Sequence, residues 1–312
     1  TFTGPLNVNA GTVRYASGNG GDLAANALNI LNAGTLDFAG DTDTLGALSV
    51  FSGGVTNSAA AGSLTASSLT MGGGPLGSST YVDSGTGTGS FKLTGNVTFN
   101  ALNDPDKAVI AGILSLNGGT RTFTVNNSAA PGAAVDMEIK ATINGSAGNG
   151  LIKSGAGGLK MGNTNTFDGN LLLNDSSGTI ICGNTLALGA PTTGRIITVG
   201  NGSTLALDGN TAFPANYTNL FLNGAGDSLV GTVRGALASW SGSSVVPATA
   251  TVTLMTNPVY LASIQVGGKL TLAGAINGTQ DLTVNGDGDT ERGGAIATGA
   301  KALVKNGTGI LT

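Results

Sequence analysis

The residues best placed to do chemistry are oxygen ligands at every second position in Asn285-Gly286-Asp287-Gly288-Asp289-Thr290-Glu291. Carboxylates and amides spaced this way, with glycines letting the backbone turn tightly, are the ingredients of a calcium loop. The run lacks a distal bidentate glutamate at EF-hand spacing, and Arg292 adds positive charge beside it. It also departs from nonapeptide calcium repeats, which need several stacked copies. A solvated turn and a calcium site therefore both stand for Asn285–Glu291. The other acidic pairs are Asp41/Asp43, Asp104/Asp106 and Asp136/Glu138. Residues two apart share one side of a strand, so Asp136 and Glu138 can approach the carboxyl separation that glycosidases use. Lys140 continues the same alternation, however, and no Arg, Tyr or Trp platform for a sugar lies nearby; Trp240 is the only tryptophan. These carboxylates are expected on a solvated outer face, and no catalytic, cofactor-binding or metal-binding residue is assigned.

The rest of the reactive inventory is thin. Histidine is absent, which removes Ser-His-Asp, Cys-His and zinc-site chemistry from consideration. Cys182 is alone, so no internal disulfide forms, and its apolar run Thr179-Ile-Ile-Cys182 places it in an interior. A net charge of −4 gives no electrostatic basis for binding nucleic acid. No apolar run approaches the roughly 18 residues that span a membrane. Asn-x-Ser/Thr sequons such as Asn144-Gly-Ser146 and Asn306-Gly-Thr308 follow from a composition rich in Asn, Gly, Ser and Thr.

The elements that must position these residues are short strands. Apolar side chains alternate with polar ones at Val135/Met137/Ile139, Phe91/Leu93 and Phe123/Val125, the period of a strand with one buried side. Hydrophobics make up 40% of a chain with only 10% charged residues, too apolar for a disordered Gly/Ser linker. The best helical stretch, Asp22 to Leu31, is short and runs into a strand pattern, and 54 glycines suit tight corners better than helices. Strand–glycine–strand units recur: Leu28–Ile30 leads to Gly34–Gly40, Ile197–Val199 to Gly202–Gly209, and Ile264–Val266 to Gly267–Gly274.

One longer motif appears intact as Leu151-Ile-Lys153-Ser-Gly155-Ala-Gly157-Gly-Leu159-Lys-Met161-Gly-Asn-Thr-Asn-Thr166-Phe-Asp-Gly169. Its first half recurs at Leu303–Thr312 and its second at Thr1–Gly4, so five residues of the intact copy are missing between Thr312 and Thr1 when both are laid on it. The expectation is a segment of a longer array, with two divergent super-repeats at 1–150 and 151–312. Repetition favours stacked coils over a sandwich, because only stacking gives every strand the same neighbourhood. The expected fold is all-β: a parallel β-helix of roughly 15 coils, each on the order of 20 residues and rising ~4.8 Å, a rod ~70 Å long. Leu36, Phe38, Leu205, Leu207, Leu270 and Leu272 should point inward.

The motif [apolar]-Lys-x-Gly-x-Gly-x-Leu followed by Asn-Thr-Phe-x-Gly resembles the autotransporter-associated β-strand repeat of bacterial surface proteins. Lys153 to Gly169 carries the match, Lys305–Thr312 and Thr1–Gly4 match as halves, and the Gly-Thr-Leu units extend it loosely. The resemblance implies export, a right-handed β-helix and a surface or adhesive role, without implying an activity. The expected function is a non-enzymatic extracellular β-solenoid forming a rod or head-to-tail filament, possible surface glycans or neighbouring cells being its other partners. The alternative is a carbohydrate-active β-helix enzyme of lyase or hydrolase type. Ice binding would need Thr-x-Thr at one place on successive coils, and Thr249-Ala-Thr251-Val-Thr253 is isolated.

Overall fold

A computed structural model describes residues 3–16, 23, 26–72, 80–101, 107–128, 134–192, 194–214, 219–228, 233–256, 258–299 and 301–312. The chain is all-β, and its strands stack in parallel into a β-solenoid of about 11 turns. That is fewer than the roughly 15 expected, because coils vary in length. One step along a face takes 20 residues from Leu151 to Leu171 but 32 from Leu220 to Val252. The helical stretch does not form where it is described: Leu28–Asp37 is a strand. Residues 22, 24 and 25 lie outside the described residues, as do Thr1, Phe2 and the acidic pair Asp104/Asp106.

Each coil turns through three faces. On the first, Leu28 lies opposite Leu48, Leu48 opposite Leu69, Leu69 opposite Val97, and Val97 opposite Phe123. This ladder begins at Leu6–Val8 and ends at Ile296–Ala297. The second face carries an inward row of Leu36, Val55, Val82, Ile110, Ile139, Met161, Cys182 and Leu207. It continues to Leu303–Lys305. All of these second-face row members are 0–1% exposed, as are Phe38, Leu205, Leu270 and Leu272, so the expected inward set is inward. Stacking like on like removes each side chain from water on both flanks, worth about 1.5–3 kcal/mol per Leu or Ile.

The third face is regular only at its two ends. Leu64, Phe91, Leu114 and Ile143 form its row near the start, and Ser243–Val246, Lys269–Leu272 and Asp289–Arg292 form a separate sheet near the finish. Between them the ladder is replaced by side-chain bonds. Asn165 accepts from the Ile143 amide at 2.7 Å and donates to the Ala187 carbonyl at 2.5 Å, spanning three coils from a position 1% exposed. Phe167 fills the core beneath it, and the Arg195 guanidinium covers the ring at 4.7 Å. The Asn-Thr-Phe part of the motif is therefore an amide bridge and an apolar plug standing in for a strand.

Corners explain the glycines. Gly155 has φ +76°, and a Cβ there would sit 2.5 Å from the Val125 carbonyl oxygen of the coil before. Both constraints exclude any other residue without backbone movement. Not every apolar triplet is a strand: Ile264–Val266 is a corner after Val259–Ser263, and Val266 is 77% exposed. The two copies of the long motif also enter the coil on different faces, Leu151–Ser154 on the first and Leu303–Lys305 on the second.

Candidate functional site

The acidic residues do not gather on a solvated face. Asp43 is 3% exposed and accepts from the Tyr15 hydroxyl at 2.9 Å and the Leu23 amide at 3.2 Å. It faces inward because it is in register with Leu64, in the third-face core row. Asp41 is likewise buried. Asp136, 1% exposed, accepts from the amides of Gly158 at 2.7 Å and Ser128 at 2.8 Å. It braces the Gly157–Gly158 corner, so it does not stand beside Glu138 as a matched pair. The expectation of solvated carboxylates at these positions is corrected: short acids close to corners satisfy backbone amides that a coil cannot pair for itself.

The Asn285–Glu291 run is also committed to a neighbouring coil. Asp287 Oδ1 accepts from the Thr308 hydroxyl at 2.8 Å, Asp289 Oδ1 accepts from the Ile310 amide at 2.8 Å, and Glu291 pairs with Lys269 at 2.7 Å. Asp289 and Glu291 lie on the Asp289–Arg292 strand of the third face. Among the described residues no three His, Cys, Asp or Glu side chains are grouped as metal ligands would be. No helix there is long and apolar enough to cross a membrane. Cys182 is buried in the core row, and burial pushes its thiol far above the ordinary range, with the Asp208 charge adding to the effect.

The most unusual charged group was hidden by its residue type. Lys153 occupies the inward row of the first face between Phe123 and Leu173 and is 0% exposed. Its ammonium donates to three carbonyls: Ser154 at 2.9 Å and Gly155 at 2.6 Å in its own turn, and Ser177 at 2.6 Å in the next coil. Three N–H donors meeting three acceptors suit a buried ammonium. Desolvation pulls its pKa down to about 7 against the opposing charges of Asp136 and Asp227. Lys305 repeats part of this arrangement, donating to the carbonyls of Asn306 and of Gly307, the latter at 3.2 Å.

An open, charged groove of about 300 Å³ lies on the outside, lined by Glu138, Lys140, Lys160, Gly162, Gly183 and Asp208. Lys160 lies along it, its Nζ 3.2 Å from Asp208 Oδ2. Lys107 holds Glu138 at 2.5 Å, whereas Lys140 is 3.9 Å away and half exposed. Trp240 is not in this groove; the Arg234 guanidinium covers its ring at 4.5 Å.

The unequal coil lengths also bring together residues that sequence spacing keeps apart. Ser49, Thr70, Thr98, Thr124 and Ser154 stand in register on successive coils of the first face, pointing outward. Ser68 and Thr122 add neighbours two positions before Thr70 and Thr124.

No protein family model, curated protein or solved structure matches this chain.

Proposed function

We propose that the chain is a non-enzymatic structural β-solenoid of the bacterial cell surface or extracellular matrix, a rod that extends head to tail into a filament, with adhesion to glycans or neighbouring cells as a secondary role. What carries this reading is where the polar side chains go. Asp136, Lys153, Asn165, Asp287 and Asp289 each bond a neighbouring coil, which is the work of holding a rod together. The resemblance of Lys153–Gly169 to the autotransporter-associated repeat supports export and a surface location. Sedimentation and electron microscopy of the whole chain test the reading: concentration-dependent unbranched filaments are expected. Prolines at Asn7 and Leu303, whose amides point away from the strands that Leu6–Val8 and Leu303–Lys305 pair with inside the chain, should leave the chain monomeric. A chain that stays monomeric at high concentration removes the filament.

The groove is the observation that favours the alternative, a carbohydrate-active solenoid, since it places Glu138 and Asp208 near open space. Incubation with acidic and neutral polysaccharides, with and without calcium, separates the two. Cleavage lost in Glu138→Gln or Asp208→Asn would establish the enzyme, and an uncut panel leaves the structural rod.

A further inference from the structure

A row of hydroxyls runs along the outside of the first face. Ser49, Thr70, Thr98, Thr124 and Ser154 stand opposite one another on successive coils, with no shift of register between them. Two residues earlier on the same coils, Ala47 lies opposite Ser68 and Thr122 opposite Ile152, with Asn96 on the coil between. Three neighbouring coils therefore present Ser68-x-Thr70, Asn96-x-Thr98 and Thr122-x-Thr124 at one place. Spacings of 28 and 26 residues conceal that pattern in the sequence.

Unlike Asp136, Lys153 and Asn165, these side chains do not hold coil to coil. Hydroxyls in register can bond one another across a ladder. Those of Ser49, Ser68, Thr70, Thr98, Thr122 and Thr124 have no hydrogen-bond partner among the described residues, and all six residues are partly exposed. The open stretch has defined limits. Before it Asn29 donates to Asn7 Oδ1 at 2.8 Å, and after it Asn174 donates to Ser154 Oγ at 2.6 Å. It lies on the flank of the rod, with coils stacked on both sides of it. No outward position of the first-face strands between Asn7 and Asn277 is charged. Arg121, which opens one of those strands, is bound to the carbonyls of Thr94, Leu116 and Asn117. The outward charges stand on the other faces, Glu138 and Lys160 on the second, Lys92 and Lys269 on the third.

We propose that this patch of Ser49, Ser68, Thr70, Thr98, Thr122 and Thr124 binds ice, a further function that stands whether or not the chain forms filaments. A hydroxyl both donates and accepts, so it can take a place in a lattice of hydrogen-bonded water, whereas a charge imposes a hydration shell of its own. Stacked coils set the hydroxyls ~4.8 Å apart along the axis, and residues two apart on a strand lie about 6.6 Å apart across it. Together they make a two-dimensional grid of oxygens with repeats comparable to those on a face of ice. Threonine is stiff at χ1 and the ladder fixes its backbone, so little freedom is lost when the grid meets the crystal. A crystalline polysaccharide is the other regular lattice such a face could meet. Sugar rings stack on aromatic side chains, however, and none stands in either column of the grid.

Slow growth of ice in a solution of the whole chain reads this directly. Wild type should be taken up into the ice, and single crystals held in the solution should become faceted. Thr98→Lys and Thr70→Lys each place a charge at an outward, partly exposed position. Both should keep the wild-type circular dichroism and urea midpoint, yet stay in the liquid and leave crystals unshaped; either variant, folded, decides. Thr44→Lys, at an exposed position of the third face, should be taken up as wild type is. Rejection of the wild-type chain by growing ice overturns the proposal, and so does equal uptake of wild type, Thr98→Lys and Thr70→Lys. Binding of wild type to crystalline cellulose or chitin in place of ice, lost in Thr98→Lys, overturns it in favour of a polysaccharide.

Discussion

Replacing Lys153 by Met tests the buried ammonium quantitatively. In the folded chain its pKa falls from 10.5 to about 7, whereas in the unfolded chain it keeps the ordinary value. Between those two pH values the unfolded state binds more protons, so this group makes stability rise with pH. Below about 7 both states are protonated and it contributes no slope. The shift of about 3.5 units corresponds to about 5 kcal/mol at ~1.36 kcal/mol per unit. Loss of one donor on deprotonation is already contained in the folded pKa, so the rise expected between pH ~7 and ~10.5 is that same amount, about 5 kcal/mol. Urea unfolding followed by circular dichroism, wild type and Lys153→Met at steps across that range, isolates the group from other titrating lysines and tyrosines. The difference between the two proteins should change by that amount, the variant being the flatter. Parallel curves for the two proteins would mean that Lys153 is not held in the core row.

Three further outcomes follow from the same packing. Leu205→Asp places a carboxylate in a position 0% exposed with no partner, and should cost about 3–5 kcal/mol and open the local coils to protease; undiminished resistance would mean the inward register is wrong. Asn165→Ala removes the partners of the Ile143 amide and the Ala187 carbonyl. It should lower stability by about 2–6 kcal/mol at about 1–3 kcal/mol per orphaned group, read as a shift in the urea midpoint. Cys182, buried and with its thiol pushed upward, should react with a thiol reagent only after unfolding; prompt labelling of the native chain would contradict its placement.

Much of the architecture was legible because the interior repeats one demand. Alternation at Leu36/Phe38 and Leu205/Leu207 marks an inward side wherever it occurs, and a glycine such as Gly155 marks a corner. The misreadings have two physical sources. Asp43 and Asp136 are read as solvated from residue type, which makes an acid a sign of solvent, and Lys153 yields no reading beyond its place in the motif. The coil stacking decides instead, giving each a ring of backbone partners that periodicity does not reveal. Variable corner length is the other source. It lowered the coil count, turned Ile264–Val266 into an exposed bend, and hid the register of Thr70, Thr98 and Thr124, which lie 28 and 26 residues apart. The third face lost its strands where Asn165 and Phe167 took over, a replacement that no strand pattern announces. The carboxylate pairs at i, i+2 looked like shared chemistry because a strand was assumed through both; Asp136 instead stands at a corner, one residue before the strand Met137–Ile139.

The central claim is that this chain is a parallel β-solenoid whose purpose is length. Low-dose electron cryomicroscopy of the whole chain at high concentration tests it most directly. Unbranched filaments with a ~4.8 Å layer spacing along the axis, continuous across the junctions between copies, are the expected result. Isolated particles at every concentration, or filaments whose strands do not stack along the axis, would contradict it.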